Sequence, residues 1–228
     1  MLKRIIKKII NLNYKIIKNY YNSKFNKKVL ISYVTEPFYK GVSQSHSNTA
    51  ESIEIAKVFH SLGYVVDIYD FRYKKNINFL SYDVIFGIGD LIERALESKN
   101  RKTVYIYYAT GAYFCFANSA EVNRIKNLYQ RKGLLLKPKR FIKNPKYLST
   151  QISDAIIVTG NNWTVATYVN SLMPIYKVPV SVYDILWKKE IKRDIDKARK
   201  SFLWFGSSGL IHKGLDLCLE VFKELPEY

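Results

Sequence analysis

Near the C-terminal end of the sequence, an apolar run, Ser201-Phe202-Leu203-Trp204-Phe205, closes on Gly206 and is followed by Ser207-Ser208-Gly209-Leu210-Ile211-His212-Lys213-Gly214. A helix-like pattern then runs from Leu215 to Leu225. The order reads as strand, small-residue loop with one lysine, and helix. It would place an ammonium group and free backbone N–H groups where a phosphate could sit. Lys213 is the candidate cation, with Gly206, Ser207 and Gly209 as the residues whose backbone would approach the anion. Read without that chemistry, Lys213 is an ordinary exposed lysine at a helix start.

Earlier in the chain, the candidates fall in loops after apolar runs. Gly41 and Ser45-His46-Ser47-Asn48 follow Val29–Val34, with Glu51 just beyond. His46 has the chemistry of an acid/base or acceptor-binding group, or equally of a loop or capping histidine. Asn48 and Glu51 have the three-residue spacing of a capping box. Thr110 and Gly111 follow Thr103–Tyr108, and Gly160 and Asn161 follow Asp154–Thr159. Asn161 or Asn162 also reads as a helix N-cap. Asn118, Glu121 and Arg124 lie on the helix after the fourth strand, where they would line a cleft or serve the helix itself. His60 reads as structural.

The elements positioning these residues alternate. Strands are expected at Val29–Val34, Val65–Tyr69, Tyr82–Ile88, Thr103–Tyr108, Asp154–Thr159 and Ile175–Val182. Helices are expected from Asn48 or Thr49 to Leu62, closed by Gly63, and at Asp90–Ser98, Ala117–Lys132 (closed by Gly133) and Trp163–Asn170. Near-continuous apolar strands in β-α-β order predict an α/β fold, a Rossmann-like parallel sheet with helices on both faces. Ligands of such sheets bind beyond the C-terminal ends of the strands, the edge that would carry the loops at 35–48, 109–118 and 159–163.

The chain has 228 residues, 48% of them hydrophobic, which suits a folded protein and argues against a disordered one. The formal charge is +18, and the basic residues before Glu36 supply half of it with no acid among them. In that opening stretch Leu2, Ile5, Ile6, Ile9, Leu12, Ile16, Ile17 and Tyr20 recur every three or four positions between lysines. The pattern predicts a basic amphipathic helix, which would lie on an anionic membrane surface or pack as a solvated N-terminal helix. It is too short in apolar residues to span a bilayer and lacks the apolar centre of a secretory signal. A cytoplasmic protein, free or peripheral on the cytoplasmic membrane face, is therefore expected. No motif that reads DNA or RNA accompanies the charge, so nucleic acid is not an expected partner. Cys115 and Cys218 match no metal-ligand spacing and are expected to be buried free thiols; no metal site is expected.

The residues Phe202-Leu203-Trp204-Phe205-Gly206, Gly209, His212-Lys213-Gly214-Leu215-Asp216 and Val221-Phe222 resemble the start of the C-terminal domain of GT-B glycosyltransferases. The likeness is to the large retaining group, glycosyltransferase family 4, which includes bacterial polysaccharide-building enzymes. It extends over most of 29–228 and is strongest at 201–222 and 104–133. The resemblance implies transfer of a sugar from a UDP- or GDP-linked donor to a glycan or lipid-linked acceptor, with no cofactor. It implies that Lys213 contacts the donor phosphate, with Gly206, Ser207 and Gly209 around it. It also implies that Gly41, His46, Asn48, Thr110, Gly111, Gly160 and Asn161 face the acceptor side.

The sequence departs from the family in two places. Many members carry an arginine just after the strand glycine, where Ser207 stands, and a histidine near the 107–113 segment, where none aligns; no catalytic residue is assigned. The organisation this implies is a basic leader (1–28), an acceptor-side domain (29–182), a linker (183–200) and the first strand and helix of a second Rossmann-like domain (201–228). The family's pair of glutamates seven residues apart has no counterpart here, so the 228 residues are expected to be part of the enzyme and inactive alone. The alternative is a non-catalytic Rossmann-like module that holds an acceptor or a partner protein.

Overall fold

The computed structural model describes residues 16–145, 147–182, 194–206 and 208–225. They fall into two compact units, divided as Met1–Ala112 with Lys146–Tyr183, and Tyr113–Pro145 with Asp184–Tyr228. Residues 113–145, which the expected boundaries put inside 29–182, thus group with the C-terminal residues.

The first unit is an α/β sheet of seven strands: β1 (Ile16–Ile17), β2 (Lys27–Tyr33), β3 (Tyr64–Asp70), β4 (Val84–Gly87), β5 (Val104–Ala109), β6 (Ala155–Thr159) and β7 (Ile175–Val178). Their spatial order is β1-β3-β2-β4-β5-β6-β7, and every pairing is parallel except that of β1 with β3. Its helices are α1 (Pro37–Lys40), α2 (Asn48–Ser61), α3 (Gly89–Glu97), α5 (Tyr147–Gln151) and α6 (Asn162–Ala166). The second unit contains α4 (Phe114–Lys132), α7 (Ile195–Arg199) and α8 (Leu215–Lys223).

Strand alternation divides the sheet's side chains between two faces. Val29, Ile31, Val66, Ile68 and Phe86 point to one face and meet Ala56 and Phe59 of α2. Leu30, Tyr69, Ile85 and Tyr105 point to the other and meet Leu91, Ile92 and Ala95 of α3. Helices cover both faces, as parallel strands with no polar side require, and the architecture is compatible with a Rossmann-like fold.

From β2 the chain moves to β3 on one side and then crosses back to β4 on the other. The switch of direction therefore falls between β2 and β4. There Ser32 pairs with Gly87, and a Cβ on Gly87, whose φ is +139°, would lie 2.1 Å from the Ser32 carbonyl oxygen. Glycine is required at this position. The Ser32 hydroxyl donates to the Ile88 carbonyl (2.7 Å), closing the strand ends together.

Several expectations need correction. Residues 16–28 are not helical: Ile16–Ile17 adds an antiparallel strand to β3, and Asn19 and Asn22 turn the chain with positive φ. The reason is Asp67, which is buried and needs partners. It accepts from the Asn19 N–H (2.8 Å), the Lys18 ammonium (2.8 Å) and the Tyr82 hydroxyl (2.7 Å), so the chain unwinds to reach it. The rest of the predicted leader helix, 1–15, lies outside the described residues, as does 183–193 of the linker.

The run 201–206 forms no strand. A strand exists through its ladder, and among the described residues none pairs with this run; Leu203 and Phe205 are 87% and 92% exposed. The two cysteines are free, but Cys115 is exposed and Cys218 half-buried. On α4 the buried residues are Phe114, Glu121, Ile125 and Leu128, and Cys115 stands beside that face. The helix expected at 163–170 is limited to Asn162–Ala166, and β7 ends at Val178, before Pro179. No helix among the described residues is long and apolar enough to cross a membrane.

Candidate functional site

The C-terminal edge of the first unit's sheet carries the loops after β2, β5 and β6. Gly41 ends α1 with φ +83°, donating its N–H to Pro37. The loop that follows is held by Thr49, whose hydroxyl donates to the Ser43 carbonyl (2.9 Å) and accepts from the Ser43 N–H (3.1 Å). His46 is exposed, and its Nδ1 accepts from the Asn48 N–H (3.2 Å), so the histidine serves the start of α2. Thr110 and Gly111 are exposed after β5, and the Gly111 carbonyl accepts from the Tyr168 hydroxyl (2.8 Å). Gly160 has φ +147°, and a Cβ there would meet the Thr164 hydroxyl at 2.6 Å. Asn161 is the N-cap of α6, accepting from the Thr164 N–H (3.0 Å). All seven acceptor-side candidates thus share one edge, and most have local structural roles as well.

The capping box of Asn48 and Glu51 does not form. Glu51 instead accepts from the Ser47 hydroxyl (3.4 Å), the Tyr33 hydroxyl (2.8 Å) and the Tyr108 hydroxyl (3.4 Å). Burial, with the Glu51 carboxylate beside it, pushes the Tyr33 phenol far above its ordinary range, so Tyr33 remains a donor. Tyr108 is raised for the same leading reason, burial. Residue patterns alone miss this trio, because a tyrosine inside an apolar strand reads as core. The usable signal is that Tyr33 ends β2 on the same face as Val29 and Ile31. Beside the trio, a groove of about 480 Å³ runs between α2 and the sheet, lined by Glu51, Ile55, Phe86, Ile106, Tyr108 and Ile157 among others.

The second unit contains a cavity of about 660 Å³. One wall is the segment after α4, with Lys137, Lys139 and Arg140; the other is the turn Ser208–His212. Glu121 of α4, 3% exposed, builds the first wall. Its Oε1 accepts from the backbone N–H groups of Lys139 and Arg140 (both 3.1 Å). Its Oε2 takes the Arg124 guanidinium (3.2 Å), with His212 Nδ1 at 3.5 Å. Burial raises the Glu121 pKa, but the Arg140 N–H, the Arg124 guanidinium and the Lys139 N–H together outweigh it and hold the carboxyl below its usual range. Asn118 adds a second clamp, donating to the Ile142 carbonyl (3.0 Å) and accepting from the Ile142 N–H (2.7 Å). Glu121, Asn118 and Arg124 therefore fasten a loop as well as bordering a cavity.

The four phosphate candidates divide. Gly209, with φ +81°, lines the cavity. Gly206 lies under the Trp204 indole: a Cβ there would be 2.2 Å from the ring, which explains the glycine without any ligand. The exposed Lys213 is not among the described residues lining the cavity; its N–H bonds to the Gly209 carbonyl (3.0 Å) and its carbonyl accepts from Trp204 Nε1 (3.1 Å). Ser207 lies outside the described residues. Ion pairs from Arg131 to Asp216 and Glu220, and from Lys132 to Glu220, join α4 to α8. Among the described residues, no group of three or more His, Cys, Asp or Glu could hold a metal ion. Comparison with protein-family models, with curated proteins and with solved structures finds no match to the chain.

Proposed function

We propose that the chain belongs to a retaining glycosyltransferase of the GT-B type, transferring a sugar from a UDP- or GDP-linked donor to a glycan or lipid-linked acceptor. The observation that carries this reading is the parallel sheet whose order reverses between β2 and β4, with glycine-bearing loops gathered on its C-terminal edge. In open α/β sheets that edge is where ligands bind. The sequence likeness at 201–222 supports the donor half, as does the basic cavity bordered by Ser208 and Gly209. The reading gives the first unit the acceptor and the Gly/Ser loop with Lys213 the donor phosphate. It also gives residues 1–28 an anionic membrane surface as partner, from their charge. The test is calorimetric titration of the chain with UDP and GDP, in which one nucleotide binds in preference to the other.

The second reading is a non-catalytic module that holds an acceptor or a protein. The half-open groove beside α2 favours it, since its apolar walls suit a ligand or segment with an aliphatic surface. Failure of both nucleotides to bind would move the assignment to this module.

A further inference from the structure

Resting on the nucleotide-sugar reading, we infer that Arg140, on the segment after α4, is the residue that grips the donor's diphosphate. Arg140 reaches the Gly/Ser loop through space. A Cβ on Gly209 would lie 3.5 Å from Arg140 Nε and 3.9 Å from its Nη2, so the guanidinium rests against the backbone of the Gly/Ser loop with no side chain between.

Arg140 is also held in place. The Glu121 carboxylate binds the N–H of Arg140 and of its neighbour Lys139, and Asn118 binds both backbone groups of Ile142. The segment that presents the guanidinium is therefore fastened on both sides before any ligand arrives, which lowers the ordering cost of binding.

The charge of the cavity suits an anion. Lys137, Lys139 and Arg140 line it, and among the described residues none of the three forms a salt bridge. The cavity's carboxylate, Glu121, is engaged by Arg124 and the two backbone N–H groups. A planar guanidinium binds phosphate oxygens in pairs, which an ammonium cannot do. About 660 Å³ is also within the size range of small-molecule sites. Lys213, by contrast, is outside the described lining.

The experiment is calorimetric titration of the intact chain with inorganic pyrophosphate, UDP and GDP at low salt. It compares the natural sequence with Arg140→Ala, Arg140→Gln, Arg140→Lys and Lys213→Ala, each checked for fold by near-ultraviolet circular dichroism. Loss of a charged hydrogen-bond pair should weaken pyrophosphate binding about 10- to 100-fold in Arg140→Ala and Arg140→Gln. Arg140→Lys should recover only part of the affinity, and Lys213→Ala, which removes an exposed point charge, should weaken binding less than Arg140→Ala does. Unchanged binding in the Arg140 variants with loss in Lys213→Ala overturns the inference and leaves the nucleotide-sugar reading intact. Pyrophosphate binding that depends on Arg140, with no gain in affinity for UDP or GDP, keeps the anion site and overturns the nucleotide-sugar reading. Absence of binding by all three probes overturns both.

Discussion

Asp67 offers the sharpest test of how the N-terminal strand is attached. It sits in β3 at 1% exposure and accepts three hydrogen bonds, from Lys18, Asn19 and Tyr82. Replacing it with alanine leaves the buried Tyr82 hydroxyl short of its main acceptor: the Lys18 ammonium (2.6 Å) can only donate to it, and the Tyr69 hydroxyl is farther off (3.3 Å). An unmet buried hydroxyl costs about 1–3 kcal/mol. The Lys18 side chain is 54% exposed and regains water, so its ion pair adds no more than about 1 kcal/mol after screening. The Asn19 N–H adds about 1 kcal/mol more. The sum is about 3 kcal/mol at pH 7, or roughly 6–12 °C in Tm for a chain of this size.

The pH dependence has a definite sign. Burial raises the Asp67 pKa, but the bonds from Lys18, Asn19 and Tyr82 outweigh it and hold the carboxyl below its ordinary value. A depressed folded pKa means that the stabilisation is present above the unfolded value, about 3.9, and is lost as pH falls through the lower folded value. Lys18 is raised: burial opposes the shift, but the bond to Asp67 prevails. Its contribution is therefore present below about pH 10.4 and lost as pH rises through its folded value. Urea unfolding of the natural chain, Asp67→Ala and Asp67→Asn from pH 2 to 7 measures this. The gap between natural and substituted chains should narrow below pH 4. A gap under about 1 kcal/mol at pH 7, or one that stays constant down to pH 2, refutes the account.

Three further outcomes follow from other parts of the molecule. Gly87→Ala places a methyl group 2.1 Å from the Ser32 carbonyl in a left-handed backbone, and should destabilise by more than about 3 kcal/mol, read as loss of soluble folded protein. Glu121→Gln removes the charge from the acceptor of the Lys139 and Arg140 amides. Their hydrogen exchange should rise about tenfold or more, while in the natural chain the same loosening should appear as pH falls through the depressed Glu121 value. Equal exchange in both chains would count against the clamp. Burial, with Glu93 nearby, pushes the Tyr107 phenol up to about 12, so ultraviolet titration of Tyr107→Phe should match the natural chain until the pH exceeds about 11.

The strand–helix alternation was legible because it is local. Val29–Val34, Val65–Tyr69 and Asp154–Thr159 are short apolar runs between polar loops, and Gly63 and Gly133 stand where helices end. Loop candidates such as Gly160 and Asn161 were legible for the same reason, since a positive-φ glycine and an N-cap depend on a few neighbouring residues. Residues 16–28 were misread as helix because their three-to-four spacing is also local, whereas the partner that unwinds them, Asp67, is 49 residues from Lys18.

The fold class, the parallel sheet with helices on both faces, and the loops that reach its C-terminal edge are all written in short stretches of sequence. Periodicity and turn chemistry act within a few residues, and those suffice to choose elements. Which distant groups meet is settled only by the folded chain. Folding brings Tyr33 and Tyr108 to Glu51, sets Arg140 against Gly209, and keeps residues 201–206 out of the sheet. Hydrogen bonding of buried polar groups and the pairing of strands are satisfied through space, by partners whose separation along the chain carries no signal.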